Sequence, residues 1–192
     1  VVGGGRRGRY LSKVLASFSD KVSLVAVCDP SEEALSWWKT TYPGIKTFQA
    51  YEKLLEWDEF DAILVTTPLF LHARQAIQAL EKDKHVLSEV PAAYTLEDCW
   101  QLVDAARRSK GIYMLSENSC YMRPNMMVLN MVEKGVFGEL IYGEGGYIHD
   151  CRNLFFTKDG KFTWRGELAR RCAGNPYPTH SIGPVARWLG IN

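Results

Sequence analysis

The opening stretch "VVGGGRRG" constrains this chain more than any other. Gly3, Gly5 and Gly8 fit the pattern G-x-G-x-x-G. Glycines at these spacings let the backbone turn tightly and approach a pyrophosphate, whose charge a following helix N-terminus favours. Three glycines alone are a weak signal, and their context strengthens it. Tyr10, Leu11, Val14, Leu15 and Phe18 line one face of a helix starting directly after the turn. The strand "VSLVAVCD" then ends in Asp29, 21 residues beyond Gly8. An acid at that distance holds the hydroxyls of an adenosine ribose. Because a carboxylate accepts hydroxyl bonds and repels a 2′-phosphate, the pattern favours NAD over NADP. Arg6 and Arg7 oppose that preference, since a nearby arginine tolerates the extra phosphate.

The alternation of strand and helix continues to about residue 118. Strands are expected in "KTF", "DAILVTTP", "KHVLSEVP" and "GIYMLSEN", with amphipathic helices between them, the last opened by a Thr95–Asp98 capping box. Continuous apolar strands between such helices mean a parallel sheet covered on both faces: an α/β, doubly wound, Rossmann-type domain over residues 1–120. Ligands bind such sheets at the carboxyl ends of the strands. Those ends carry Thr66-Thr67-Pro68, Glu89-Val90-Pro91 and Glu117-Asn118, with His72 opening the helix after the first. His85 begins a strand at the opposite edge and reads as structural.

From residue 121 to 192 the pattern changes. "PNMMVLNMVEKG" reads as a helix whose Met127 and Met131 belong to a core. "ELIYGEGGYIHD" alternates as a strand, with Ile141, Gly143, Gly145, Tyr147 and His149 on one face. Two glycines beside a tyrosine there point to a close approach, by a ligand or a packed neighbour. Residues 151–175 read as loop anchored by Trp164. Tyr177, Pro178, Thr179 and His180 stand at the entrance of a last helix expected from Ser181. This half has the character of the start of an α+β, antiparallel-sheet domain. Val1-Val2 running straight into glycines, and an end soon after a helix, are expected to mean a missing first-strand start and a truncated second domain.

A net charge of +1 with no basic stripe argues against nucleic acid. No apolar run approaches the length of a membrane span. Five cysteines without C-x-x-C spacing predict neither a disulfide framework nor a metal knuckle. Reduced thiols in a cytoplasmic setting are the default expectation.

Together these stretches resemble the Gfo/Idh/MocA oxidoreductases, whose Rossmann domain precedes an antiparallel-sheet substrate domain. The family's common Glu-Lys-Pro, whose lysine assists proton transfer in sugar dehydrogenases, is Glu89-Val90-Pro91 here. A valine transfers no proton. "SEVPAAYTLEDCWQLVDAA", "ENSCYMRPNMMVLNMVEKGVFGELIYGEGGYIHD" and "GNPYPTH" resemble one branch, glycoside hydrolase family 109, whose type activity is an NAD-dependent α-N-acetylgalactosaminidase. The resemblance implies NAD contacts at Arg7, Gly8, Asp29, Leu69, Phe70, Leu71, His72, Glu89, Val90, Asn118, Trp164 and Tyr177, beside Gly3 and Gly5 of the turn. It implies substrate contacts at Tyr147, Tyr177, Pro178, Thr179 and His180. Leu69 stands where relatives tend to carry tryptophan. A homo-oligomer is expected of the complete protein.

The implied chemistry oxidises C3 of the sugar, which acidifies the C2 hydrogen. Elimination at C1, addition of water and re-reduction follow, outside the usual two-carboxylate route. It needs bases for the C3 hydroxyl and for C2, and an acid for the leaving group. A histidine such as His180 titrates near neutrality and suits the first or last role. Tyr177 or Tyr147 serves at C2 only if a cation or strong hydrogen bond favours its ionised form. Two other readings stand beside this one: an NAD(P)-dependent sugar or cyclitol dehydrogenase, and an NAD-binding protein without catalysis.

Overall fold

The computed structural model describes residues 1–171 and 176–191. Cys172 and the Gly174-Asn175 start of "GNPYPTH" lie outside the described residues. Two compact units divide between Ser116 and Glu117. Residues 117–120, expected to close the first unit, therefore sit with the second.

The first unit is the expected parallel α/β sheet. Helix α1 (Arg6–Ala16) follows the glycine turn; then come β1 (Ala26–Cys28), α2 (Glu32–Thr41), β2 (Lys46–Phe48), α3 (Tyr51–Trp57) and β3 (Ala62–Val65). A 3-10 turn (Leu69–Leu71) leads into α4 (His72–Leu80), β4 (His85–Ser88), α5 (Leu96–Arg108) and β5 (Tyr113–Leu115). β1 pairs with β2, and β3 with β4 and β4 with β5, all in parallel. Val2 forms parallel bridges to both Cys28 and Val65 and so joins the two groups, with its backbone between β1 and β3. Caps fall where short polar side chains precede apolar spacing: Ser31 accepts from Ala34 N, and Thr95 from Asp98 N. The core holds Val2, Ile63, Val65, Leu80 and Val86, with a second cluster of Val27, Leu35 and Trp38. Burial pushes the Cys28 thiol up to about 11, which makes it a packing residue.

The second unit departs from expectation. A 3-10 turn (Asn118–Tyr121), α6 (Arg123–Glu133), α7 (Arg152–Phe155), α8 (Trp164–Arg171) and α9 (Thr179–Trp188) make it helical among the described residues. Residues 139–150 alternate correctly for a strand yet form none. A strand is held by a partner's ladder of hydrogen bonds, and no described segment pairs with this one. The antiparallel contact present is an isolated bridge between Phe156 and Phe162. The stretch read as loop contains α7 and α8, and α9 starts at Thr179 instead of Ser181. α6 buries none of its residues, and Met127 is 60% exposed, against the core role expected of it. Among the described residues Cys28, Cys99, Cys120 and Cys151 are free, and no helix is long and apolar enough to cross a membrane.

Candidate functional site

In the first unit the glycine turn has the shape its sequence demands. Gly3 lies at φ +95°, and a Cβ on it would sit 2.7 Å from the Thr66 carbonyl carbon. A Cβ on Gly8 would run into the Gly3 carbonyl oxygen, so this glycine lets α1 pack against the turn. Gly5 has nothing within 4 Å of where its Cβ would be. That open approach, at an α1 N-terminus without a side-chain cap, fits a pyrophosphate against the backbone. Asp29 Oδ2 accepts from Gly4 N at 2.7 Å and Oδ1 from Ser31 N at 2.9 Å. Each oxygen keeps a further lone pair for a ribose hydroxyl. Two groups not assigned from sequence secure the turn. The indole of buried Trp38 donates to Gly4 O at 2.8 Å, and the Thr66 hydroxyl to Gly3 O at 2.7 Å.

The remaining expected cofactor residues of this unit differ in availability. Arg7 meets Glu89 through Nε at 2.7 Å and a terminal nitrogen at 2.6 Å, so two of them pair with each other. Leu69, His72 and Val90 are buried, Leu71 is half-buried and Phe70 is exposed. Val90 enters a cis peptide with Pro91. His72 spends both ring nitrogens on carbonyls, Nδ1 with Pro91 O and Nε2 with Thr67 O, each at 2.8 Å. Its side chain is thus closed to direct contact with a ligand.

The second unit gathers a polar cluster around His180, in the first turn of α9. His180 Nδ1 lies 2.7 Å from Glu117 Oε1 and 3.1 Å from Ser119 Oγ. A carboxylate only accepts, so Nδ1 carries its proton toward Glu117, which leaves Nε2 as the nitrogen not engaged by that pair. The Tyr147 and Tyr177 rings lie 4.8 Å and 5.8 Å from the imidazole. His180 is therefore no helix cap, and α9 has no side-chain cap bond. Pro178 is the N-cap residue, and the Thr179 hydroxyl is buried without a hydrogen-bond partner. Burial pushes the Glu117 carboxyl up, but Thr179, His180 and the Ser119 N–H together hold it below its ordinary value. Of these, the His180 and Ser119 bonds have good geometry, whereas Glu117 Oε2 and Thr179 Oγ1 lack it.

The two tyrosines stand in opposite situations. Arg165 Nε donates to the Tyr177 hydroxyl at 3.2 Å, which sets a guanidinium beside that oxygen. The Tyr147 hydroxyl instead lies 3.1 Å from His149 Nδ1, an imidazole rather than a guanidinium or carboxylate partner. Burial, then the nearby Cys151, Tyr177 and Glu117, push the Tyr147 phenol above its ordinary value, which disfavours it as a resting base. Trp164 opens α8 with the Arg165 guanidinium 4.1 Å over its ring, and Asn118 is exposed on its 3-10 turn. Gly143 and Gly145 are approached by α9: a Cβ on Gly145 would sit 2.7 Å from Ser181 O. Glu117, Ser119, His149 and Arg165 were not assigned from sequence. The local signals among them were the strand-end position of Glu117 and the Tyr147-x-His149 spacing.

Two families match consecutive stretches of the chain. Residues 1–117 match the Gfo/Idh/MocA oxidoreductase family with its NAD-binding Rossmann fold, and residues 121–192 the C-terminal domain of glycosyl hydrolase 109. A glycosyl hydrolase family 109 protein of Solibacter usitatus is 37% identical over 204 residues, covering 100% of this chain and 46% of the relative. One from Shewanella pealeana is 39% identical over 203 residues, covering 100% and 44%. The chain thus spans a little under half the length of these relatives. Among solved structures, the WlbA dehydrogenase from Bordetella pertussis, in complex with NADH and UDP-GlcNAcA, is 29% identical with a TM-score of 0.68, over 72% of this chain and 40% of that one. A myo-inositol 2-dehydrogenase from Lactobacillus plantarum has a TM-score of 0.83 over 98% of this chain and 55% of its own, at 20% identity, and shows the fold alone.

Proposed function

Since the chain belongs to the Gfo/Idh/MocA oxidoreductase family, we propose that it is part of an NAD-dependent glycosidase acting on α-N-acetylgalactosaminides or similar glycosides. The observation that carries this reading is the His180 cluster. One histidine, oriented by one carboxylate and flanked by two tyrosines, is equipment for moving protons. It is not the pair of facing carboxylates that ordinary glycosidases use.

The first unit binds. The Gly5 backbone and the α1 N-terminus take the pyrophosphate, and Asp29 takes the adenosine ribose in preference to a 2′-phosphate. NAD, when bound, supplies a hydride acceptor that is restored at the end of each turnover. The second unit handles protons. His180 Nε2 removes the proton of the C3 hydroxyl, with Glu117 holding the ring in one tautomer. Tyr177, with Arg165 donating to its oxygen, takes the C2 proton. Tyr147 keeps its proton at rest and serves the leaving oxygen as a donor. The complete protein is a homo-oligomer, a point that light scattering checks.

The test uses full-length protein, an aryl α-N-acetylgalactosaminide and catalytic NAD in D₂O. Phenol release without accumulating NADH, and deuterium at C2 of the product, are expected. NADH formed one-for-one with product, and no deuterium at C2, would instead establish the dehydrogenase reading, which the likeness to a WlbA dehydrogenase solved with NADH favours.

A further inference from the structure

His72 presents a problem in proton counting. It is 2% exposed and opens α4, and both its ring nitrogens lie 2.8 Å from backbone carbonyl oxygens. A carbonyl has no proton to give. A neutral imidazole has one N–H and one lone pair, so one of its nitrogens would meet a carbonyl lone pair with its own, at hydrogen-bond distance. Only the doubly protonated ring donates to both. The α4 N-terminus opposes a cation here. That partial charge and the cost of burying a cation act against two charge-assisted bonds made to the same ring. Neighbouring polar groups already have partners: Glu89 is engaged by Arg7, and the Thr67 hydroxyl donates to Gln75 Oε1 at 2.6 Å.

We propose that His72 is an imidazolium clamp that ties the loop after β3, at Thr67, to the loop after β4, at Pro91, and so positions the cofactor-binding strand ends. Those loops lead directly into Leu69–Leu71 and out of Glu89-Val90. The clamp is a positioning residue, since its own nitrogens are closed to a ligand. Its protonation rests on geometry alone; its effect on the cofactor rests on the NAD reading above.

The experiment is ¹⁵N NMR of the full-length protein carrying ¹⁵N-labelled histidine near neutral pH. One ring among the four histidines of this chain, assigned to position 72 through its backbone, should show both nitrogens in the protonated range. A His72 ring with one unprotonated nitrogen overturns the clamp. Titrating NAD into the same sample should shift both His72 ring resonances, and no shift overturns the positioning role. His72→Asn, which retains a donor to one carbonyl at most, should weaken NAD binding about tenfold or more in calorimetry; an unchanged Kd in a folded variant also overturns positioning. If His72→Asn does not fold, the parent's spectra still decide both points. A parent protein that binds no NAD refutes the cofactor reading and leaves the ring-proton result standing.

Discussion

The first unit buries its architecture and the second exposes it. In residues 1–116 an apolar sheet is covered by helices, and the glycine turn is fastened from behind by Trp38, Thr66 and Asp29. In residues 117–191 the helix α6 buries nothing and a well-patterned strand is absent, yet Glu117 and His180 make a short, buried polar contact. Order in the first unit comes from many shared apolar contacts. Order around His180 comes from a few directional bonds among side chains far apart in the chain. The two should fail differently when perturbed.

The largest effects separate them. Trp38→Ala removes a wholly buried indole and the donor to Gly4 O, and should cost about 3–5 kcal/mol of stability in denaturant unfolding. NAD binding should weaken with it, because the turn loses a fastening. His180→Ala should lower glycosidase turnover about 10²–10⁴-fold with NAD affinity nearly intact, the range for a lost general acid or base. Glu117→Gln should lower turnover by less, since the ring stays and only its orienting charge goes. If His180→Ala costs stability in proportion to activity, the cluster is structural and the contrast between the units collapses.

Asp29→Ala sharpens the contrast from the other side. It should weaken NAD by about 1–3 kcal/mol in calorimetry while the protein stays folded, the scale of a hydrogen bond to a charged group. This residue also shows what was legible in the sequence. Gly3, Gly8 and Asp29 were readable because their constraints are local: a turn, a close helix, a strand end. The parallel sheet was readable because each strand is buried by its own sequence. The strand expected at 139–150 was misread because alternation states which face is apolar and not whether a partner exists. Glu117 pairs with His180 across 63 residues, and no local spacing records such a contact. Arg165 beside Tyr177 was hidden in the same way, within a stretch read as loop.

The Glu117 carboxyl gives a smaller, pH-dependent test. Its folded value lies below the ordinary 4.5, so it binds its proton less readily folded than unfolded. The resulting stabilisation is fully present above the ordinary value and is lost as pH falls through the folded one. Urea midpoints should therefore decline below about pH 4.5 in the parent, and Glu117→Gln should flatten part of that decline. Equal slopes in parent and variant would mean that the carboxyl gains nothing from His180 and Ser119 in the folded state.

The smallest effect belongs to Met127, where sequence and structure disagree most simply. Its spacing on α6 suggested a core residue, and a core methionine costs about 2–5 kcal/mol when cut to alanine. In the structure it is 60% exposed on a helix that buries none of its residues. Met127→Ala then removes little buried area and places a strong helix former at an exposed position. The change in unfolding free energy should stay within about 0.5 kcal/mol, as for surface substitutions in general. Denaturant melts of full-length protein make the measurement direct, because the face of α6 is tested as the whole protein presents it. A loss of several kcal/mol would show that this face is covered in the complete molecule. The second unit would then be built around a core like the first, and the difference between them would lie in which residues supply that core.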